Sequence, residues 1–167
     1  MESYLKRLSG YAFCLTNDRD QARDLVQECA VRALSATRVP RDEPAYRAWI
    51  FTILRNLFID RLRRQRESND ELQDERPVDS WQVWHCDESL VTGLTVKLGL
   101  EKLKPAHREI LGLVDIAGFT YHETAQILDV PPGTVMSRVS RARQALLDIL
   151  ADGNVRALPL GRRRRSP

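Results

Sequence analysis

Residues 118–150 hold the side chains best suited to chemistry, because hydroxyl and guanidinium groups occur there within a helical hydrophobic repeat. The repeat has steps of four and three residues and predicts one buried stripe, formed by Val135, Val139, Ala142, Leu146 and Ile149. At about 100° per residue, the opposite face carries Ser137, Ser140, Arg141 and Gln144. Such donors can enter a DNA major groove and bind base edges. We therefore interpret this segment as a DNA-reading helix.

A shorter helix and a tight turn are predicted immediately before it. Thr120 can cap the shorter helix, and Glu123 three residues later can complete a capping box. Residues 129–133 include two prolines and a glycine, which end the helix and permit a turn, and Thr134 can then cap the second helix. The pattern indicates a helix-turn-helix. The alternative, an amphipathic hairpin with a merely solvated polar face, is disfavoured by this turn and by the Ser- and Arg-rich outer face.

A long helix is predicted over residues 45–66, with apolar residues on two sides, so it should be central to its domain. One narrow stripe could stack on a base, read its edge and hold a phosphate, and it comprises Trp49, Thr52, Asn56 and Arg63. The basic end of the helix suits backbone phosphates and comprises Arg61, Arg63, Arg64 and Arg66. The alternative is a core tryptophan beside a solvated last turn, where the helix dipole favours arginine.

These helices belong to an all-α chain of two small domains joined by a flexible linker, the second containing the helix-turn-helix. The first domain is predicted at residues 1–66 and the second at 90–150, with an acidic linker at 67–89 and a disordered basic tail at 151–167. Before the helix-turn-helix, helices are expected over residues 2–16, 18–36, 45–66, 90–103 and 105–117.

The charge distribution supports contact with nucleic acid at separate places. The net charge is only +3, but residues 41–66 carry seven arginines against three acids. Residues 67–91 then carry eight acids against one arginine, and residues 151–167 carry five arginines against one acid. Basic blocks separated by an acidic one favour a polyanionic partner.

Composition also limits the cellular setting. Three unevenly spaced cysteines without a CxxC motif give no disulfide framework and are typical of a reducing cytosol. No apolar run reaches the length of a membrane span and no signal peptide is recognised, so we expect a cytoplasmic protein without membrane insertion. His85 and Cys86 are adjacent, but no second ligand pair has zinc-site spacing, so we expect neither a metal nor a cofactor.

Taken together, the two domains resemble bacterial RNA polymerase sigma factors of the extracytoplasmic-function group. In the first domain the resemblance is carried by NDRDQARDLVQECAVRAL (17–34) and YRAWIFTILRNLFIDRLRR (46–64). In the second it is carried by LEKLKPAHREILGLVDIAGFTYHETAQILDVPPGTVMSRVSRARQAL (100–146). It implies a promoter-specificity subunit that binds core RNA polymerase and promoter DNA, assists promoter melting, and is held by an anti-sigma factor.

The resemblance also implies roles for individual residues. The surface that binds polymerase would comprise Asp24, Gln27 and Glu28. The loop at 37–44 would capture a base flipped from the minus-ten element, which would be contacted by Trp49, Asn56, Arg61, Arg63 and Arg64. The minus-thirty-five element would be contacted by Thr134, Ser137, Ser140, Arg141 and Arg143.

Two positions depart from the family pattern. Met136 stands where the family commonly has Lys or Arg, and His122 stands where an acidic residue is frequent.

Two other functions compete with that of a sigma factor. A sigma mimic that only sequesters an anti-sigma protein should lack a working recognition helix. A plain helix-turn-helix repressor would not explain the polymerase-binding segment or the long helix. No Ser/His/Asp triad, phosphate loop or carboxylate metal set indicates an enzyme.

Overall fold

The structure is a computed structural model that describes residues 2–68 and 90–152, and every regular element in these ranges is helical. The first range contains α1 (Glu2–Thr16), α2 (Arg19–Leu34) and α3 (Glu43–Ser68). The second contains α4 (Leu90–Lys102), α5 (Pro105–Leu111), α6 (Tyr121–Leu128) and α7 (Pro132–Asp152), and a π-helical turn, Gly112–Ile116, continues α5. The predicted all-α class is confirmed, whereas nearly all of the predicted linker and tail lies outside the described residues.

Side-chain caps explain where the helices of the first range begin. Asp18 caps α2 as expected, because its Oδ1 accepts a hydrogen bond from the backbone N–H of Gln21 at 2.9 Å. Asp42 caps α3 in the same way, with Oδ2 accepting from Ala45 N at 3.0 Å. Helix α3 therefore starts before the predicted residue 45, and the loop ahead of it is shorter than 37–44.

No helix within residues 2–68 and 90–152 is long and apolar enough to cross a bilayer.

The two helical units pack directly against each other and share one hydrophobic core. Phe51 of α3 is fully buried, with its ring 5.6 Å from that of Tyr11 and 4.9 Å, edge-on, from that of Phe119. Gly112 permits a close approach, since a Cβ there would stand 2.9 Å from side-chain atoms of both Tyr11 and Cys14. The hydrophobic repeats had indicated two separate domains and gave no sign of this contact.

Two arginines of α3 reach across the contact between the units. The guanidinium of Arg47 donates to the carbonyl oxygen of Ala117 at 2.5 Å and lies 4.1 Å from the centre of the Phe119 ring. Arg55 Nε donates to Glu109 Oε1 at 2.7 Å. These contacts supplement the apolar packing with a cation–π interaction and a partly buried ion pair.

Arg108 of α5 makes a third polar contact, which reaches from the second unit to the first. It is buried, and it donates to the carbonyl oxygens of Cys14 at 3.1 Å and of Leu103 at 2.6 Å. Burial lowers the pKa of Arg108, but an arginine still carries its proton at neutral pH. The side chain therefore fixes α5 against the end of α1.

Thiol labelling tests this packing. Burial raises the pKa of Cys14 to about 12 and that of Cys29 to about 11, and the Glu28 carboxylate adds to the second shift. Because the thiolate is the reactive form, neither thiol should react measurably with an aromatic disulfide reagent at pH 8 in a Cys86→Ser variant. Both should react once urea unfolds the chain. Labelling of the folded protein at the rate of a free thiol would contradict the described core.

Candidate nucleic-acid interface

Helix α6 begins with the capping box that the sequence predicted. The backbone N–H of Thr120 donates to Glu123 Oε2 at 2.8 Å, and the backbone N–H of Glu123 donates to Thr120 Oγ1 at 3.2 Å. The Thr120 backbone N–H and the Thr120 hydroxyl, which also donates to Glu123 Oε2 at 2.7 Å, lower the pKa of Glu123. The helix ends at Asp129, whose φ of 53° is left-handed. This geometry turns the chain sharply towards α7.

The start of α7 differs from the prediction. The helix begins at Pro132, and Thr134 lies inside its first turn, where its backbone N–H donates to the carbonyl oxygen of Pro131 at 2.9 Å. The predicted capping role of Thr134 is therefore wrong. Proline suits the first helical position because the N–H it lacks would have no partner inside the helix.

Helix α7 separates a buried stripe from an exposed polar face. Val135, Val139 and Ala142 are fully buried against the rest of the unit. Ser137, Ser140 and Arg141 are exposed on the other side, together with Gln144. Ser137 Oγ donates to the carbonyl oxygen of Thr134 at 3.0 Å, and Arg141 Nε donates to that of Ser137 at 3.2 Å. These contacts hold both side chains on the helix surface, where an incoming nucleic acid can reach them.

Arg143 lies at the flank of this face and already has a partner. Its Nη2 is 2.5 Å from Oδ1 of Asp115, in the π-helical turn, and its Nε is 3.3 Å from Oδ2. The hydrogen bond with Asp115 raises the pKa of Arg143. Arg143 was predicted to bind DNA alone, and helical spacing gave no sign of this pair, which spans 28 positions in the chain.

On the first unit, the tryptophan of α3 lines a cleft against the loop before the helix. The cleft has a volume of about 480 Å³ and is lined by Trp49 and residues 37–41. The Trp49 ring is half-buried and lies 5.6 Å from that of Tyr46. Two exposed arginines of the loop, Arg38 and Arg41, also line the cleft. The loop was predicted to capture a base, but neither arginine was predicted to take part, although both are visible in the sequence of this short loop.

The other residues of the α3 stripe follow the cleft along the helix. Thr52 bonds to its own helix, with Oγ1 donating to the carbonyl oxygen of Ala48 at 2.8 Å. Asn56 is exposed one turn further on. Arg63 and Arg64 are exposed near the end of α3, and Arg63 makes long ion pairs, at 3.9 Å, with Asp60 and Glu67 of its own helix.

Arg61 connects α3 with the predicted polymerase-binding surface. Its Nη2 and Nε donate to Glu28 Oε2 of α2 at 2.7 and 3.2 Å. Asp24 and Gln27 are exposed beside Glu28 on the same helix. Two residues assigned to different partners thus bind each other here, which helical spacing could not reveal because 33 positions separate them.

Comparison with protein families matches both units. The model of Sigma-70 region 2 matches residues 1–68, and that of Sigma-70, region 4 matches residues 96–146. The chain is 36% identical over 144 residues to the ECF RNA polymerase sigma factor EcfG of Rhodopseudomonas palustris, covering 86% of this chain and 78% of that protein. It is 33% identical to the ECF RNA polymerase sigma factor SigE of Mycolicibacterium smegmatis, covering 90% of this chain and 60% of that protein.

Solved structures agree with these matches. The sigma factor RpoE in complex with the anti-sigma factor NepR from Bartonella quintana superposes with a TM-score of 0.70 at 30% identity, covering 89% of this chain and 92% of that one. CnrH in complex with the cytosolic domain of CnrY superposes with a TM-score of 0.58 at 25% identity, covering 89% and 82%. The arrangement of helices described above is therefore shared with these two proteins.

Proposed function

We propose how promoter recognition is divided within this chain, which belongs to the extracytoplasmic-function group of the sigma-70 family of RNA polymerase sigma factors. Residues 1–66 would bind core polymerase and the minus-ten element, and residues 90–150 would read the minus-thirty-five element. The observation that carries this proposal is the exposed donor face of α7, opposite the buried Val135, Val139 and Ala142. We infer a binding subunit that acts in the cytoplasm beside the polymerase and catalyses no reaction itself.

The minus-thirty-five contacts follow from the geometry of α7. An exposed helix face that enters the major groove presents its donors to base edges. Ser137 and Ser140 can bond to any base, whereas a guanidinium can pair bidentately with guanine, so Arg141 is the strongest candidate for specificity. Thr134 and Arg143 would lie nearer phosphates, and Arg143 would have to share or exchange its Asp115 partner.

The minus-ten contacts would use the cleft at Trp49. Extruding a base costs a few kcal/mol, and an aromatic wall with nearby polar groups recovers part of it. Trp49 provides the wall, Asn56 an amide and Arg38 a cation. Phosphates would be held by Arg61, Arg63 and Arg64.

Two protein partners complete the proposal. Core polymerase would bind the exposed surface formed by Asp24, Gln27 and Glu28. An anti-sigma factor would hold the chain inactive, a proposal supported by the similar sigma factor RpoE, whose structure was solved in complex with the anti-sigma factor NepR. Because Glu28 is paired with Arg61, polymerase binding at this surface would free Arg61 for DNA.

The packed arrangement must open before both promoter elements are bound. Elements named minus ten and minus thirty-five lie about 25 base pairs apart, which is about 85 Å of duplex. A compact body of about 130 residues has a radius of gyration of only about 14 Å. The contact between Phe51 and Phe119 therefore belongs to a closed state that cannot span a promoter.

The proposal is tested first at α7, by Arg141→Ala and its neighbour Arg143→Ala on a panel of promoter variants. We expect Arg141→Ala to lose about 1–3 kcal/mol on the preferred sequence and to relax the choice of base at one position. Arg143→Ala should weaken all sequences about equally and flatten the salt dependence. Holoenzyme binding measured at several salt concentrations gives both quantities. Uniform weakening by Arg141→Ala, with base preference intact, would show that our groove orientation is wrong.

A second test concerns polymerase binding. Replacing Asp24, Gln27 and Glu28 together with alanine should weaken holoenzyme assembly by roughly 2–4 kcal/mol, because one or two dominant residues of an interface cost about 2 kcal/mol or more each when truncated. Titration of labelled core polymerase measures the change. Arg141→Ala serves as the control and should assemble normally. Unchanged assembly by the triple variant would remove this surface from the proposal.

A further inference from the structure

The recognition helix carries two large apolar side chains that are mostly exposed. Met136 is 59% exposed, although its neighbours Val135 and Val139 are fully buried. Leu147, on the same helix, is exposed to the same degree, at 60%. It stands 11 positions further on, which is about 16 Å along the axis. The two residues differ in which part of α7 they occupy.

The position of Met136 on α7 is the one from which a helix reaches bases. It lies in the second turn, and the N-terminal residues of a recognition helix are those that contact base edges. At about 100° per residue, Met136 is only about 40° from Ser140, one turn later on the exposed face. Methionine is unbranched and flexible, so its methyl group can adapt to an irregular surface.

The chemistry of the groove limits what this side chain can recognise. A thioether donates no hydrogen bond, so Met136 cannot read the acceptors of guanine or hold a phosphate as a cation would. The major-groove edge of one base alone, thymine, presents a methyl group. An apolar contact with that methyl group is therefore the specific interaction open to Met136.

We propose that Met136 contacts the 5-methyl group of a thymine in the minus-thirty-five element and thereby selects thymine at one position. The inference rests on the proposed function, and it adds an apolar determinant to the hydrogen-bonding residues of α7. The contact also gives a consequence to the departure at position 136. Lys or Arg, which can bind guanine or phosphate, is replaced there by a methionine that favours thymine.

The test removes single methyl groups from the DNA. Each thymine of the minus-thirty-five element is replaced in turn by deoxyuridine, and holoenzyme affinity is measured with the parent chain, with Met136→Ala and with Leu147→Ala. We expect the parent to lose about two- to four-fold at one thymine, the size of one buried methyl group. The affinity of the Met136→Ala holoenzyme should not fall further when that thymine is replaced by deoxyuridine. The Leu147→Ala holoenzyme should show the same sensitivity to each replacement as the parent.

Other outcomes separate this inference from the proposed function. Identical deoxyuridine profiles for the parent and Met136→Ala, or no sensitive thymine, would overturn the role of Met136 alone. If Met136→Ala weakens assembly with core polymerase but leaves the DNA affinity of the holoenzyme unchanged, Met136 contacts protein and the thymine contact is overturned. If the parent holoenzyme protects no DNA in the minus-thirty-five region, the proposed function itself fails and the inference fails with it.

Discussion

A variant with both Gly10→Cys and Ile116→Cys should lose promoter-directed transcription when oxidised and regain it when reduced. Gly10 of α1 faces Ile116 so closely that a Cβ on Gly10 would stand 2.7 Å from Ile116 Cγ2. Because Ile116 Cγ2 is bonded directly to Ile116 Cβ, the Cβ atoms of two cysteines there would be close enough to reach the separation of about 3.5–4.5 Å that a disulfide spans. The bond would hold the two units in the closed state. We expect run-off transcription to fall at least about ten-fold on oxidation.

The controls for this variant isolate the effect of the bond. Gly10→Cys alone and Ile116→Cys alone should be insensitive to oxidant, as should the buried native Cys14 and Cys29. Cys86 is replaced by serine throughout. Reduction of the double variant should restore the parent's activity. If the oxidised and reduced forms initiate equally well, the units need not separate, and the closed state is not an inactive one.

Phe51→Ala should cause the largest loss of stability among single substitutions on α3. Its ring is fully buried between those of Tyr11 and Phe119, and removing such a side chain from a core costs about 3–5 kcal/mol. Urea unfolding followed by circular dichroism measures the change. Ile59→Ala on the same helix is the matched control, because Ile59 is 41% exposed and should cost less than about 1 kcal/mol. Similar losses for the two variants would contradict the shared core.

The structural features that depend on residues close together in the chain could be predicted from the sequence. The Thr120–Glu123 capping box needs residues three apart, and the buried stripe of Val135 and Val139 needs only helical spacing, so both could be read from one segment. The N-cap at Asp42 is equally local, yet the predicted loop extended to residue 44 and included Asp42. The start of α7 was misplaced because Thr134 is a favourable cap and Pro132 was interpreted as a helix breaker.

The contacts between distant segments could not be predicted in this way. Arg61 and Glu28 are 33 positions apart, and Arg55 and Glu109 are 54 apart. Each of these residues would be equally reasonable on a solvated helix face, so spacing alone gives no partner. The fully buried Phe51 lies on a helix that was predicted to be buried within its own domain, although its edge-on contact with Phe119 comes from the other unit. The residue roles at the two promoter elements stay predictions until DNA complexes are measured.

The central claim is that this chain directs polymerase to promoters through two separate elements. The most direct test adds the purified chain to core RNA polymerase on genomic DNA and maps the transcript starts. We predict starts that are absent with core polymerase alone and that share two upstream elements at fixed spacing. Arg141→Ala should redistribute starts among promoters that differ in the upstream element. The same starts with and without the chain, or new starts with no shared upstream sequence, would contradict the account.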